Sequence, residues 1–279
     1  MKPLFLAMLL PLLAACASVE RLALPAAKPL ADQTLTRTSL PPGERIDHHD
    51  WSTFLHRNVA PDAGGVNRVA YAQVSQVDRT RLDRYLADLQ KVDPSRLTRD
   101  QQLAYWINLY NALTVDLILD HYPVASIRDI TDGPLSFGPW DRPLAQVVGQ
   151  SLTLNDIEHR IIRPTFAEPR IHYALNCAAV GCPNLMNRAW QAEMLERDLV
   201  AAERAYINDP RGVRFDQRGR LILSKIYIWF REDFGADEPA VIADIARAAD
   251  PDLRARLHAA PRVSAYTYDW ALNDAATAR

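Results

Sequence analysis

The 279-residue chain has no excess of basic charge: 32 Lys and Arg stand against 34 Asp and Glu, a formal net charge of −2. It therefore lacks the general phosphate-neutralising field on which nucleic-acid binding depends, and nucleic acid is not expected as a partner. After its first residues it also lacks any apolar run near the ~20 residues that a membrane-spanning helix requires. No repeat or low-complexity block interrupts residues 46–273, so one domain of a size that a single core can support is expected. Cysteine is scarce, with three residues at positions 16, 177 and 182. What is present is ordinary for a globular domain: 48% hydrophobic and 24% charged residues, enough for a sizeable core.

The N-terminus reads as a signal peptide. Met1, Lys2 and Pro3 are followed by the apolar run Leu4 to Leu13 and by the small residues Ala14 and Ala15 before Cys16; the run is too short to span a bilayer, so cleavage is the expected fate. Leu13-Ala14-Ala15-Cys16 resembles the lipobox of bacterial lipoproteins, in which the cysteine thiol takes a diacylglycerol. The alternative is the end of an ordinary signal peptide. The expectation is that residues 1–15 are removed and that lipid on Cys16 gives stable attachment to a membrane. Ala17, where an Asp would otherwise stand, implies delivery to the outer membrane of a two-membrane bacterium, facing the periplasm. Residues 16–45, broken by Pro25, Pro29, Pro41 and Pro42, read as a linker, and residues 46–279 as the globular domain.

Within that domain the apolar periodicity predicts helices over His49 to Val59, from a cap at Asp78 to Leu89, from a capping box at Thr98 and Gln101 to the stop at Pro123, from a cap at Asn155 to Pro164, and over Trp190 to Ile207. The helix after Thr98 is apolar on nearly every face, which marks it as buried in the middle of the domain. Strands are predicted at Val66 to Val74 and Val263 to Tyr268, with hairpins at 144–154 and 213–223. From Ser224 on, three short helices precede the last strand. Helices outnumber strands, and the strands come as local hairpins. The fold class predicted is therefore α+β: a helix-rich single domain around a buried central helix with short antiparallel hairpins.

The segment His172-Tyr173-Ala174-Leu175-Asn176-Cys177 with Cys182 concentrates an imidazole, an amide and two thiols in a short apolar frame. A thiol attacks as thiolate, and a neighbouring imidazolium lowers its pKa while an amide or carboxylate orients the ring. His172, Asn176, Cys177 and Cys182 are the catalytic candidates on that ground. If the segment were helical, His172 and Asn176 would share a face and Cys177 would point away from His172. Three readings stay open: a cysteine-dependent hydrolase or transferase, a non-catalytic binding or envelope-assembly module with a structural cysteine pair, and a thiol-disulfide exchange protein. The cysteine spacing fits neither common zinc pattern, so no metal site is expected, and no cofactor is expected. Asn108 and Asn111, one turn apart in Tyr105-Trp106-Ile107-Asn108-Leu109-Tyr110-Asn111-Ala112, are pocket candidates that read first as ties to neighbouring backbone. Glu158 and His159 are acid/base candidates that read first as a solvated edge or a salt link with Arg163. Asp233 and Asp269 are further candidates, Tyr268-Asp269-Trp270 with Asn273 reads as an anchor for the C-terminus, and His48, His49 and His56 read as surface residues.

These stretches together resemble the family catalogued as domain of unknown function 547. The resemblance runs from about Arg96 to Asn273. It rests on Tyr105 to Ala112, on Asn155 to His159 with Arg163, on His172 to Leu185, on Leu223 to Ile226 with Asp233 and Phe234, and on Tyr268 to Asn273, where Ala271 replaces a serine. It implies a shared α+β fold and a shared motif surface without an established substrate. Some relatives are labelled as electron-transport or glutaredoxin-associated proteins, which keeps thiol redox chemistry as an analogy. Substrate and envelope partner are left open.

Overall fold

The computed structural model describes residues 25–31, 33–38, 45–131, 133, 138–260 and 262–277. The signal peptide and Cys16 lie outside the described residues. The fold is helix-rich α+β, and the described residues group into two compact units, one within 27–200 with 270–277 and the other within 201–269.

The first unit is organised by α3, Arg99–His121; α1 is His49–Asn58 and α2 is Gln76–Leu89. Thr98 starts α3 as expected: its hydroxyl accepts from Gln101 N while the Gln101 side chain accepts from Thr98 N, which satisfies two otherwise orphaned donors. Every residue from Gln102 to Val115 is buried, as an all-round apolar helix requires. α1 packs on α2 through Trp51, which stacks on Tyr85, and α2 packs on α3. The cap of α2 is Ser75, whose hydroxyl accepts from Asp78 N at 3.1 Å; Asp78, predicted as the cap, sits one turn inside. The strand predicted at 66–74 is shorter, because Val59–Pro61 (β1) pairs antiparallel with Asn67–Val69 (β2) and a 3-10 turn follows at Tyr71–Gln73.

The first predicted hairpin is present as Ala145–Val147 (β3) and Gln150–Leu152 (β4). Its turn residues Val148 and Gly149 both have positive φ, 50° and 75°, the pattern of a type I′ turn, which matches strand twist. α4 follows, first as a wide π-type segment, Asp156–Ile162, and then as Arg163–Phe166. Its start is closed by Thr153 and Asp156, which exchange side-chain to backbone bonds at 3.0 Å, and not by Asn155. Pro164 brings no N–H, so the carbonyls of His159 and Arg160 that would meet it are left over. They accept instead from Lys28 N and Leu30 N at 3.1 and 3.3 Å. In the stretch read as a linker, Leu30 and Leu35 are buried. The helix predicted from Trp190 begins later, as α5 at Leu195–Ile207.

In the second unit Val213–Phe215 (β5) and Leu221–Ser224 (β6) form the predicted hairpin, and Val263–Thr267 (β7) adds to β6 in parallel. A parallel neighbour needs a long crossover. The chain supplies it through α6 (Ile226–Trp229), α7 (Arg231–Phe234), α8 (Glu238–Ala248) and α9 (Pro251–Ala259).

A candidate thiol site in the first unit

The segment that holds both cysteines is helical only over Pro169–Tyr173, a 3-10 turn, and then runs as irregular chain. The helical premise that turned Cys177 away from His172 therefore fails at Ala174. Irregular chain in a core needs partners for its backbone, and buried amides provide them. Asn111 donates from Nδ2 to Ala174 O and accepts at Oδ1 from Asn176 N, both at 2.9 Å. Asn176 in turn donates to Pro183 O at 2.8 Å and accepts from Ala178 N at 2.9 Å. Asn273 donates to the same Asn176 oxygen at 3.4 Å and accepts from the Tyr71 hydroxyl at 2.9 Å. The C-terminal segment is thereby laid along the cysteine turn, with Val180 N on Ala271 O and Asn273 N on Ala178 O.

On this clamped turn Cys177 differs from its neighbours. Residues 171–179 are buried except for Cys177, which is half-buried. The next residue, Ala178, has φ +60°, a left-handed conformation that an L-residue with a Cβ adopts at a cost of about 1–2 kcal/mol and that persists where surrounding structure over-determines it. Both cysteines are thiols. Cys182 is buried at 2% exposure, and its sulfur accepts from Cys177 N at 3.1 Å. The two candidate sulfurs thus take different positions: Cys182 supports the turn and Cys177 reaches the surface.

Beneath the turn lie groups able to move or hold a proton. His172 is buried, with Nδ1 3.8 Å from the Glu158 carboxylate. Tyr110 is fully enclosed; burial pushes its phenol well above its ordinary range, and Glu158, to which it donates, Cys177 and Cys182 add to that. Glu158 therefore stands between a phenol and an imidazole. Tyr71 is raised for the same kind of reason, by burial first and then by Asp274, Cys182 and Cys177. Glu158 and His159, read as a solvated edge, are buried instead, because the wide turn of α4 faces the core. The link to Arg163 exists for His159: Arg163 Nη1 approaches His159 Nδ1 at 3.2 Å. A guanidinium only donates, so that nitrogen accepts and the ring is neutral.

Asn108 does not join this group. It clamps the backbone of Trp190, donating to its carbonyl at 2.9 Å and accepting from its N–H at 3.0 Å. Asp233 lies on α7 and Asp269 follows β7, both in the second unit. Three contributors were missed in sequence: Tyr110 was absorbed into an apolar pattern, Tyr71 into a strand, and Asn273 into a terminal anchor. The signal for Tyr110 and Tyr71 is that a buried tyrosine hydroxyl needs a partner. His48, read as a surface residue, is buried at 6% exposure beside Tyr85.

Comparison with known proteins bears on this geometry. Residues 94–207 match the family model described as Protein of unknown function, DUF547, and that segment contains α3, α4 and both cysteines. The motifs around Leu223 and Tyr268 that extended the sequence resemblance lie outside the match. No curated protein and no solved structure matches the chain.

Proposed function

We propose that the chain is an exported lipoprotein, tethered through Cys16 to the outer membrane and facing the periplasm, whose first unit carries a cysteine-dependent acyl hydrolase or transferase. The observation that carries the enzymatic reading is the position of Cys177: a half-buried thiol on a turn fixed by buried amides, with a left-handed residue after it and a His172–Glu158 pair at 3.8 Å in the same cluster. In this reading Cys177 is the nucleophile and His172 the base that takes its proton. Glu158 orients the imidazole, and Tyr110 holds Glu158. The thiolate adds to a carbonyl carbon, the leaving group departs with the proton from His172, and water or a second acceptor then releases the acyl group from sulfur. Cys182 and Asn176 hold the turn and take no part in bond making.

Incubation with an activated ester, followed by peptide mass analysis, tests this. An acyl group trapped on the Cys177 peptide, absent in Cys177→Ser and strongly reduced in His172→Gln, is the expected result. Acylation that is missing, or that moves to other residues without preference, would refute it. A second reading, reversible disulfide exchange between Cys177 and Cys182, is favoured by the Cys182 sulfur lying 3.1 Å from Cys177 N; it expects a disulfide that a physiological dithiol reduces. For the tether, the support is the Leu13-Ala14-Ala15-Cys16 pattern. Cys16→Ala should leave the mature protein without lipid and release it from the membrane fraction.

A further inference from the structure

Away from the thiol turn, a cavity of about 350 Å³ opens in the first unit, lined among others by Arg45, Asp47, His48, Gln101, Gln191 and Glu193. Its volume falls at the small end of ligand sites. The wall is built at two points. Asn108 fixes the chain at Trp190, just before Gln191, and His48 is held from behind. The Tyr85 hydroxyl lies 2.7 Å and Asn108 Nδ2 3.5 Å from the same His48 nitrogen, Nδ1. An amide nitrogen only donates, and Tyr85 is fully buried with its hydroxyl directed at this ring, so Nδ1 accepts and the ring proton sits on Nε2. His48, one of the residues lining the cavity, therefore carries its ring proton on Nε2. Burial holds it neutral, down at about 4, although Asp47 and Glu193 work in the opposite direction.

The rest of the lining is charged in a particular ratio. Two carboxylate residues, Asp47 and Glu193, and one guanidinium residue, Arg45, line the space together with Gln101, Gln191 and the apolar Ile46, Ala104 and Ala192. Asp47, Arg45 and Glu193 are exposed, and among the described residues neither Arg45 nor Glu193 is taken up in an ion pair. We propose that this cavity is a binding site for a dibasic amino acid, free or at the end of a short peptide. Its two ammonium groups complement Asp47 and Glu193, and its carboxylate is received by Arg45 and the His48 Nε2–H. A plain anion would meet two like charges, and a simple amine would leave Arg45 and the His48 donor unanswered. The complement of two negative charges and one positive charge is two ammonium groups and one carboxylate on a small frame.

Titration calorimetry of the full chain with L-lysine, L-lysinamide and Nα,Nε-diacetyl-L-lysine tests the assignment. L-lysine should bind saturably, and lysinamide and the diacetyl form should each bind at least about tenfold more weakly, the loss expected when one charge-assisted hydrogen bond goes. Arg45→Gln and Glu193→Gln change exposed side chains, so their melting temperatures should match the parent. Each should weaken L-lysine by a similar factor, and nitrogen-resolved NMR should show the His48 Nε2–H signal moving on L-lysine addition. The proposal is overturned by the absence of saturable L-lysine binding, by variants that bind L-lysine as tightly as the parent, or by an unmoved His48 signal. None of these readouts depends on Cys177, so failure here and failure of the acyl-transfer reading are distinguishable.

Discussion

Asn108 and Asn111 sit one turn apart on α3 and grip backbone in the same way, each donating to one carbonyl and accepting from one N–H, yet the stretches they hold differ. Asn111 holds the run before Cys177, where nearly everything is buried and one sulfur emerges. Asn108 holds the chain at Trp190, beside a cavity whose lining includes the exposed charges of Arg45, Asp47 and Glu193. The first arrangement places a strained residue beside a half-buried thiol; the second spreads several charges around a space. A single buried helix thus supports both the proposed acyl-transfer turn and the proposed binding cavity.

The sharpest way to break that comparison is to remove each amide in turn. Asn111→Ala leaves Ala174 O and Asn176 N buried without partners, and Asn108→Ala does the same to Trp190. Urea unfolding should show each variant about 2–4 kcal/mol less stable. Only Asn111→Ala should also change the rate at which Cys177 is alkylated. If Asn108→Ala alters that rate equally, the two surfaces are one.

Acid should act first on the Asn108 side. His48 is held neutral at about 4 in the folded chain against an ordinary 6.5, burial being the main cause. Its folded value is depressed, so its contribution is complete above pH 6.5 and is lost as pH falls from there through about 4. The stability difference between parent and His48→Gln should shrink over that window by up to about 3 kcal/mol, measured by unfolding at a series of pH values. A difference that is flat with pH contradicts the buried neutral ring.

Two smaller effects separate local strain from general support. Ala178→Gly removes the Cβ penalty at φ +60° and should stabilise the fold by about 1 kcal/mol while lowering Cys177 reactivity, because the turn gains freedom. Thr98→Ala removes the α3 capping box and should cost about 1 kcal/mol, with Cys177 alkylation unchanged.

The helices of this chain were legible where periodicity and cap chemistry agree. Thr98 with Gln101, the apolar run of α3 and the hairpin across Asp216 to Gly219 are local statements, and the structure contains them. The cap of α2 was misassigned because Ser75 and Asp78 are both good cap residues three apart, and their reciprocal placement decides which leads. The parallel pairing of β6 and β7 is non-local, so nothing in either strand announces it. At the candidate site, the residue types around Cys177 were legible, but the side of α4 that faces the core was not. A wide turn rotates Glu158 and His159 away from the face that ordinary helical spacing gives them. The division of labour between Cys177 and Cys182 rests on one backbone hydrogen bond to sulfur, which composition does not encode.

Peptide-resolved alkylation of the Cys182→Ser variant across pH measures whether Cys177 is the activated thiol proposed above. Cys177 should react with a midpoint well below the ~8.5 of an ordinary thiol, and His172→Gln in the same background should return the midpoint toward that value. A Cys177 that titrates near ~8.5 with His172 present, or that does not react at all, would contradict the claim.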